Sequence, residues 1–334
     1  MKKNIVFIII LITIFSVAVA AILNIKKINK NNGEKIEIMA TLYPQYDFAK
    51  QIGGDKVNVT LMLPPGTESR TYEPTPQDMV KVNNSDLFIY TGKEMEPWAD
   101  NLISGMKENI KVLDLSSKVS LINSEEFEHK HEEEGEEENE DEHEHEHEHE
   151  SEDEHHHTYD PHIWLNPQYA IKMAEAIRDE LCNVDPDNAE YYKQNAENYI
   201  KEISTLDEEF ESTVKKTNSK KIAFGGAFAY AYFVERYDLE FESAYDACGE
   251  SAEPSTAKVK KVIDYINKNK IPVIFYKEYS TGNIAKTISE ATGAEMLVFN
   301  TAHNVSKKEI EEGVTYVDIM KQNLQNLKKA LKVE

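Results

Sequence analysis

"NAEYYKQNAENYIKEISTLDEEFESTVKKT" occupies residues 188–217. Its apolar residues Tyr192, Ala196, Tyr199, Ile203, Leu206, Phe210 and Val214 step by four, three, four, three, four and four, which lines one face of a helix. A helix of about 30 residues spans about 45 Å at 1.5 Å per residue, long enough to brace two lobes. The pattern barely exceeds three heptads, and pairing with a second long helix in a coiled coil is the competing expectation.

Outward from this helix the chain alternates between short apolar runs and helical patterns. On the N-terminal side "IEIMATL" (36–42), "VNVTLML" (57–63) and "DLFIYTG" (86–92) read as strands. "NPQYAIKMAEAIRDEL" (166–181) reads as a helix with Asn166 as N-cap and Pro167 in the first turn. On the C-terminal side "KIAF" (221–224), "LEFES" (239–243), "IPVIFY" (271–276) and "MLVF" (296–299) repeat the alternation. The expected fold is α/β: two (β/α) lobes joined by a single long bridging helix. Ligands of open α/β sheets sit at the carboxyl ends of strands, so the loops after "VTLML", "KIAF", "VIFY" and "LVF" are expected to face one interlobe cleft.

The expected organisation is residues 1–23 as a signal peptide or membrane anchor, 24–35 as a tether, and 36–124 with 158–187 as the first lobe. Residues 125–157 form an insertion, 188–217 the bridge and 218–334 the second lobe. Lys2 and Lys3 precede nineteen residues, Ile5 to Leu23, interrupted only by Thr13 and Ser16. Such a leader directs the chain out of the cytoplasm, to be cleaved after Ala18-Val19-Ala20 or retained as an anchor. No cysteine stands near the end of this run to carry a lipid. Cys182 and Cys248 permit one disulfide but no C-x-x-C metal motif. No G-x-G-x-x-G, Walker A or G-x-S-x-G marks a nucleotide site or serine hydrolase.

The formal charge is −24, but residues 125–154 hold nineteen carboxylates against one lysine, leaving about −6 elsewhere. Nucleic acid is not an expected partner, since no basic stripe interrupts this acidity. Nine of the eleven histidines fall in the same region: His129, His131, His143, His145, His147, His149, His155, His156 and His157. With almost no apolar content the insertion is expected to be disordered. Imidazoles suit zinc, copper and nickel, and flanking carboxylates attract cations, so the tract reads as a weak multivalent metal scavenger or, more plainly, a solubilising spacer.

Three stretches resemble the solute-binding subunits of zinc and manganese ABC importers: "LPPGTESRTYEPTPQD" (63–78), "DPHIWLNP" (160–167) and "EATGAEMLVFNTAHNVSKKEIEEGVTYVDIM" (290–320). The resemblance runs through residues 36–332 and includes a histidine-rich acidic insert before the D-P-H motif. It implies two lobes bridged by a rigid helix, with one metal held between them by three histidines and an acid for zinc, or two histidines and two acids for manganese. Residue by residue, the first family histidine falls on Arg70, the second on His162, the third near Gly225 and the fourth ligand, an acid, near Asn300 or Thr301. Arginine cannot ligate a cation. Two expectations stay open. The site is rebuilt from His162, His303 and Glu278, with Asp246, Cys248, Glu250 and Glu253 as further donors; or it is weakened, with Arg70 favouring an anion or the tract as main binder. Arg70, Tyr72 and Glu73 are expected to line the cleft without ligating metal.

The function this implies is an extracytoplasmic, monomeric receptor that captures a divalent cation, Zn2+ before Mn2+, for a membrane permease, without catalysis. A surface metal buffer or adhesin acting through the tract is the alternative. A secreted metallohydrolase with Glu278 as base would lack the H-E-x-x-H spacing.

Overall fold

The computed structural model describes residues 35–136, 159–245 and 254–333, the side chains of 131–136 excepted. The leader, residues 1–34, lies outside them, and among the described residues no helix is long and apolar enough to cross a membrane.

The first lobe is built on β1 (Ile36–Ala40), β2 (Val57–Leu61), β3 (Leu87–Tyr90) and β4 (Lys111–Asp114), in the order β2-β1-β3-β4. Every pairing is parallel, with Ile38 opposite both Val59 and Leu87. β1 and β3 are central, and β3 is buried along its whole length, as expected of a parallel sheet covered on both faces. Helices α1 (Tyr43–Gly53), α2 (Pro76–Val82) and α3 (Ala99–Ser104) supply the crossovers. β4 was not among the expected strands. Its "KVLD" is short and two of its four residues are exposed, which leaves no run of apolar residues to mark an edge strand.

The second lobe repeats the plan with β5 (Lys221–Phe224), β6 (Glu240–Ser243), β7 (Val273–Tyr276) and β8 (Glu295–Val298), all parallel, in the order β6-β5-β7-β8. Between the lobes, α5 (Pro167–Val184) begins with the Asn166 side chain accepting from the Gln168 N–H, and Pro167 sits in its first turn. The bridge α6 (Ala189–Lys216) buries all seven periodic residues of the opening stretch, and with them Asp207 and Thr213. It packs on α1, α5 and the C-terminal α11 (Tyr316–Ala330), so the two lobes share one large core.

Two buried acids make this joint specific. Asp207 accepts from Gln168 Nε2 (2.5 Å) on α5, and from Arg236 Nη2 (2.7 Å) and Tyr237 OH (2.8 Å) on α7 (Ala231–Tyr237). Asp47 of α1 accepts from Tyr199 OH (2.7 Å) on the bridge and from the Tyr316 N–H (2.9 Å) of α11. A buried carboxylate surrounded by donors fixes register where apolar packing alone would slide.

The insertion is ordered further than its composition predicts. Residues Ser124–Glu136 form α4, a correction to the expected disorder from 125 onward. Two local reasons apply: Glu125 and Glu126 sit at the favourable end of the helix dipole, and Phe127 is buried against Phe228 and Phe241 of the second lobe. An antiparallel bridge between Asn123 and Tyr159 closes the base of the insertion.

Candidate metal centre

The D-P-H-I-W-L-N-P motif lies where the lobes meet. Asp160 and His162 are 1% and 3% exposed. One Asp160 oxygen accepts from the His162 backbone N–H (2.8 Å) and lies 3.0 Å from its Nδ1. A carboxylate on Nδ1 holds the proton there and leaves Nε2 with its lone pair for a ligand, the arrangement that orients metal-binding imidazoles. Asp160 is itself placed by its backbone: its N–H donates to Ile122 O, and its carbonyl accepts from Tyr232 OH (2.8 Å) of α7.

The second imidazole comes from the loop after β8. His303 is buried, its ring 6.4 Å from that of His162 and nearly perpendicular to it. Trp164 packs against both rings and donates its indole N–H to Thr301 O (2.7 Å), while its own carbonyl accepts from Tyr316 OH (2.7 Å). The motif of one lobe is thus bolted to the histidine loop of the other. His303 Nε2 lies 3.1 Å from Ser69 Oγ, in the loop after β2. That loop is held by Trp98 Nε1 on Ser69 O (2.8 Å) and by Asn304 Nδ2 on Thr67 O (3.1 Å). Burial first, then the neighbouring Lys277, His162 and Arg70, push the His303 imidazole well below its usual pKa. It is therefore neutral, the form that ligates.

Glu278 lies two residues beyond β7. Its carboxylate accepts from the Thr301 N–H (2.8 Å) and Thr301 Oγ1 (2.5 Å), which clamps the loop that carries His303. Gly225 is closed to any side chain: a Cβ there would stand 2.7 Å from Ala285 Cα, at the helix α9 (Asn283–Thr292). Tyr72 donates to Asp78 (2.7 Å) and packs edge-on against Trp98, shaping the loop around Arg70. Arg70 is half-buried, whereas Glu73 is exposed.

These loops follow β2, β7 and β8 and belong to both lobes, so the two imidazoles are enclosed where the lobes meet. The sequence profile described as "Zinc-uptake complex component A periplasmic" matches residues 38–330. The chain belongs to that family. It is 35% identical over 305 residues to the high-affinity zinc uptake system protein ZnuA of Bacillus subtilis, covering 91% of this chain and 90% of the relative. It is 31% identical to the zinc-binding lipoprotein AdcA of Streptococcus pneumoniae over 88% of this chain but only 55% of AdcA, so it spans about half of that relative. Among solved structures, the metal-dependent lipoprotein YcdH of B. subtilis superposes with a TM-score of 0.72 at 31% identity, covering 90% of this chain and all of that one. The Zn(II)-bound ZnuA-like domain of S. pneumoniae AdcA superposes at 0.70 with 28% identity, over 89% and 99%.

Among the described residues no group of three His, Cys, Asp or Glu gathers where a metal would sit. Asp246, Cys248 and Glu250, with Glu253, lie outside the described residues, as does any pairing of Cys248 with the partly exposed Cys182 thiol. Of the tract, His129 is exposed on α4; His131 lies on that helix with its side chain outside the description; His143, His145, His147, His149, His155, His156 and His157 lie outside it altogether. Sequence reasoning missed Ser69, Asp160's grip on Nδ1 and Lys277. Asp160 had a signal, since an acid two residues before a histidine can reach back to its ring; Ser69 and Lys277 had none.

Proposed function

We propose that the chain is the extracytoplasmic receptor of a zinc importer, which takes Zn2+ between its lobes at His162 and His303 and passes it to an ABC permease. The observation that carries this is the buried His162, oriented through Nδ1 by Asp160, with the His303 ring 6.4 Å away on the other lobe. Imidazole nitrogens hold zinc at about 2.0–2.1 Å and favour it over manganese, which prefers oxygen donors. Both imidazoles come from one chain, so a monomer suffices. Glu278 acts from behind, aiming His303 through Thr301. The working units are the lobes 36–124 with 158–187 and 218–334, and the tract collects cations near the cleft, since its stem closes at Asn123 and Tyr159, beside Asp160.

The two tryptophans, Trp98 and Trp164, both flank this centre and supply a reporter of it. Zinc titrated into the full chain is expected to change their emission saturably, and His162→Ala or His303→Ala is expected to weaken that response about 100-fold. An unchanged response in both variants would mean that the cleft is not the zinc site.

A further inference from the structure

We infer that Tyr279 is a release latch of the zinc cleft: its hydroxyl, bonded to Glu309, holds the strained loop that bears His303, and loss of that contact lets the ion leave faster. The inference rests on the zinc reading above and names a residue that governs how long the ion stays.

Three observations lead to it. The first is strain. Among the described residues, five other than glycine have a positive φ. Asp238, Lys270 and Lys332 follow the ends of helices, where left-handed backbone is common. Tyr279 (φ 55°) and Ala302 (φ 53°) do not. Each directly follows one half of the Glu278–Thr301 clasp, and Ala302 directly precedes His303. A residue with a side chain stays in this conformation only where its surroundings hold it there.

The second is what does the holding. Tyr279 OH donates to Glu309 Oε2 (2.5 Å), and the same oxygen accepts from the backbone N–H and the Oγ of Ser306 (2.7 Å each), where α10 (Lys307–Glu312) begins. The loop of residues 299–306 is therefore tied twice to the turn after β7: by Glu278 at Thr301, and by Tyr279, through Glu309, at Ser306. His303 lies between the two ties. A hydrogen bond onto a carboxylate is among the stronger kinds, and this one joins residues 30 apart in sequence.

The third is access. Glu278, Thr301 and His303 are buried, whereas Tyr279 is 56% exposed. The outer tie is reached from the surface without entering the cleft; the inner one is not. With the outer tie cut, only the clasp opposes the strain at Ala302, and the loop opens more often.

The test compares the full chain with Tyr279→Phe, which keeps the ring and loses the hydroxyl. Zinc release into excess EDTA, followed by tryptophan emission, is expected to be about fivefold faster in the variant, with the association rate little changed. Hydrogen exchange of the amides of residues 299–306, measured without zinc, is expected to quicken by a similar factor while the bridge α6 stays as protected as before. In a Glu309→Ala background Tyr279→Phe is expected to add nothing, because the hydroxyl has already lost its acceptor. If Tyr279→Phe still speeds release in that background, the contact with Glu309 is not the latch and the inference falls. Unchanged loop exchange in Tyr279→Phe, or faster exchange with an unchanged release rate, also overturns it, while the zinc reading stands on its His162-dependent response. Absence of any His162-dependent response removes the zinc reading and the latch with it, and the exchange measurement tells that failure from the others because it needs no zinc.

Discussion

The two lobes share a strand order and a device, yet use the device differently. At the carboxyl end of each sheet a buried glutamate is clasped by a threonine. In the first lobe Glu96 accepts from Thr41 Oγ1 (2.6 Å) and from the N–H groups of Thr91 (3.2 Å) and Gly92 (3.1 Å). In the second, Glu278 accepts from the side chain and backbone of Thr301. Glu96 is fully enclosed, and burial pushes its carboxyl up to about 7; it ties β1 to the loop after β3. Glu278 ties down the loop that ends in His303. The same clasp therefore closes a lobe in one place and holds the loop bearing His303 in the other.

The joint between the lobes is where this comparison breaks most readily. Asp207→Ala removes the acceptor shared by Gln168, Arg236 and Tyr237, and is expected to cost about 3 kcal/mol in urea unfolding. A loss under about 1 kcal/mol would show that apolar packing alone holds the lobes on the bridge.

The first-lobe clasp is read by pH. Because the folded protein raises the Glu96 pKa from 4.5 to about 7, the folded state holds this proton more tightly than the unfolded chain. The stability linked to it is complete below pH 4.5 and is lost as pH rises through 7. Relative to Glu96→Gln, which does not titrate, the wild-type chain is expected to lose about 2–3 kcal/mol across that window, measured by urea unfolding at a series of pH values. A constant gap between the two proteins would mean that Glu96 is ionised throughout.

The second-lobe clasp carries the smallest effect. Glu278→Gln is expected to weaken zinc binding about tenfold by loosening the Thr301–His303 loop, with little change in overall stability. If zinc affinity is unaffected while stability falls, the clasp in this lobe serves the same purpose as the one in the other.

Much of the fold was legible because it rests on periodicity. The bridge announces itself through seven apolar residues on one face, and Asn166-Pro167 marks where α5 begins. Edge strand β4 was not legible, since it buries too little to leave a pattern. Helix α4 was hidden for a different reason: its composition argues for disorder, and its order depends on Phe127 finding Phe228 and Phe241, more than a hundred residues away in sequence. The cleft was legible in part. His162 and His303 stand out as the histidines beyond the tract, but that their rings approach each other depends on Trp164 reaching Thr301 O across the lobes. Gly225 reads as a turn glycine in sequence, whereas the structure shows it pressed against Ala285. Such close approaches are properties of the tertiary packing and have no local signature.

The Asn123–Tyr159 bridge carries a consequence for how this chain varies over time. Because the two ends of the histidine-rich stretch are stapled together, residues added to or removed from its middle alter only the loop-closure entropy, which grows with the logarithm of length. Evolution is thus free to lengthen, shorten or rewrite the middle of that stretch while the folded body that carries its two ends stays untouched.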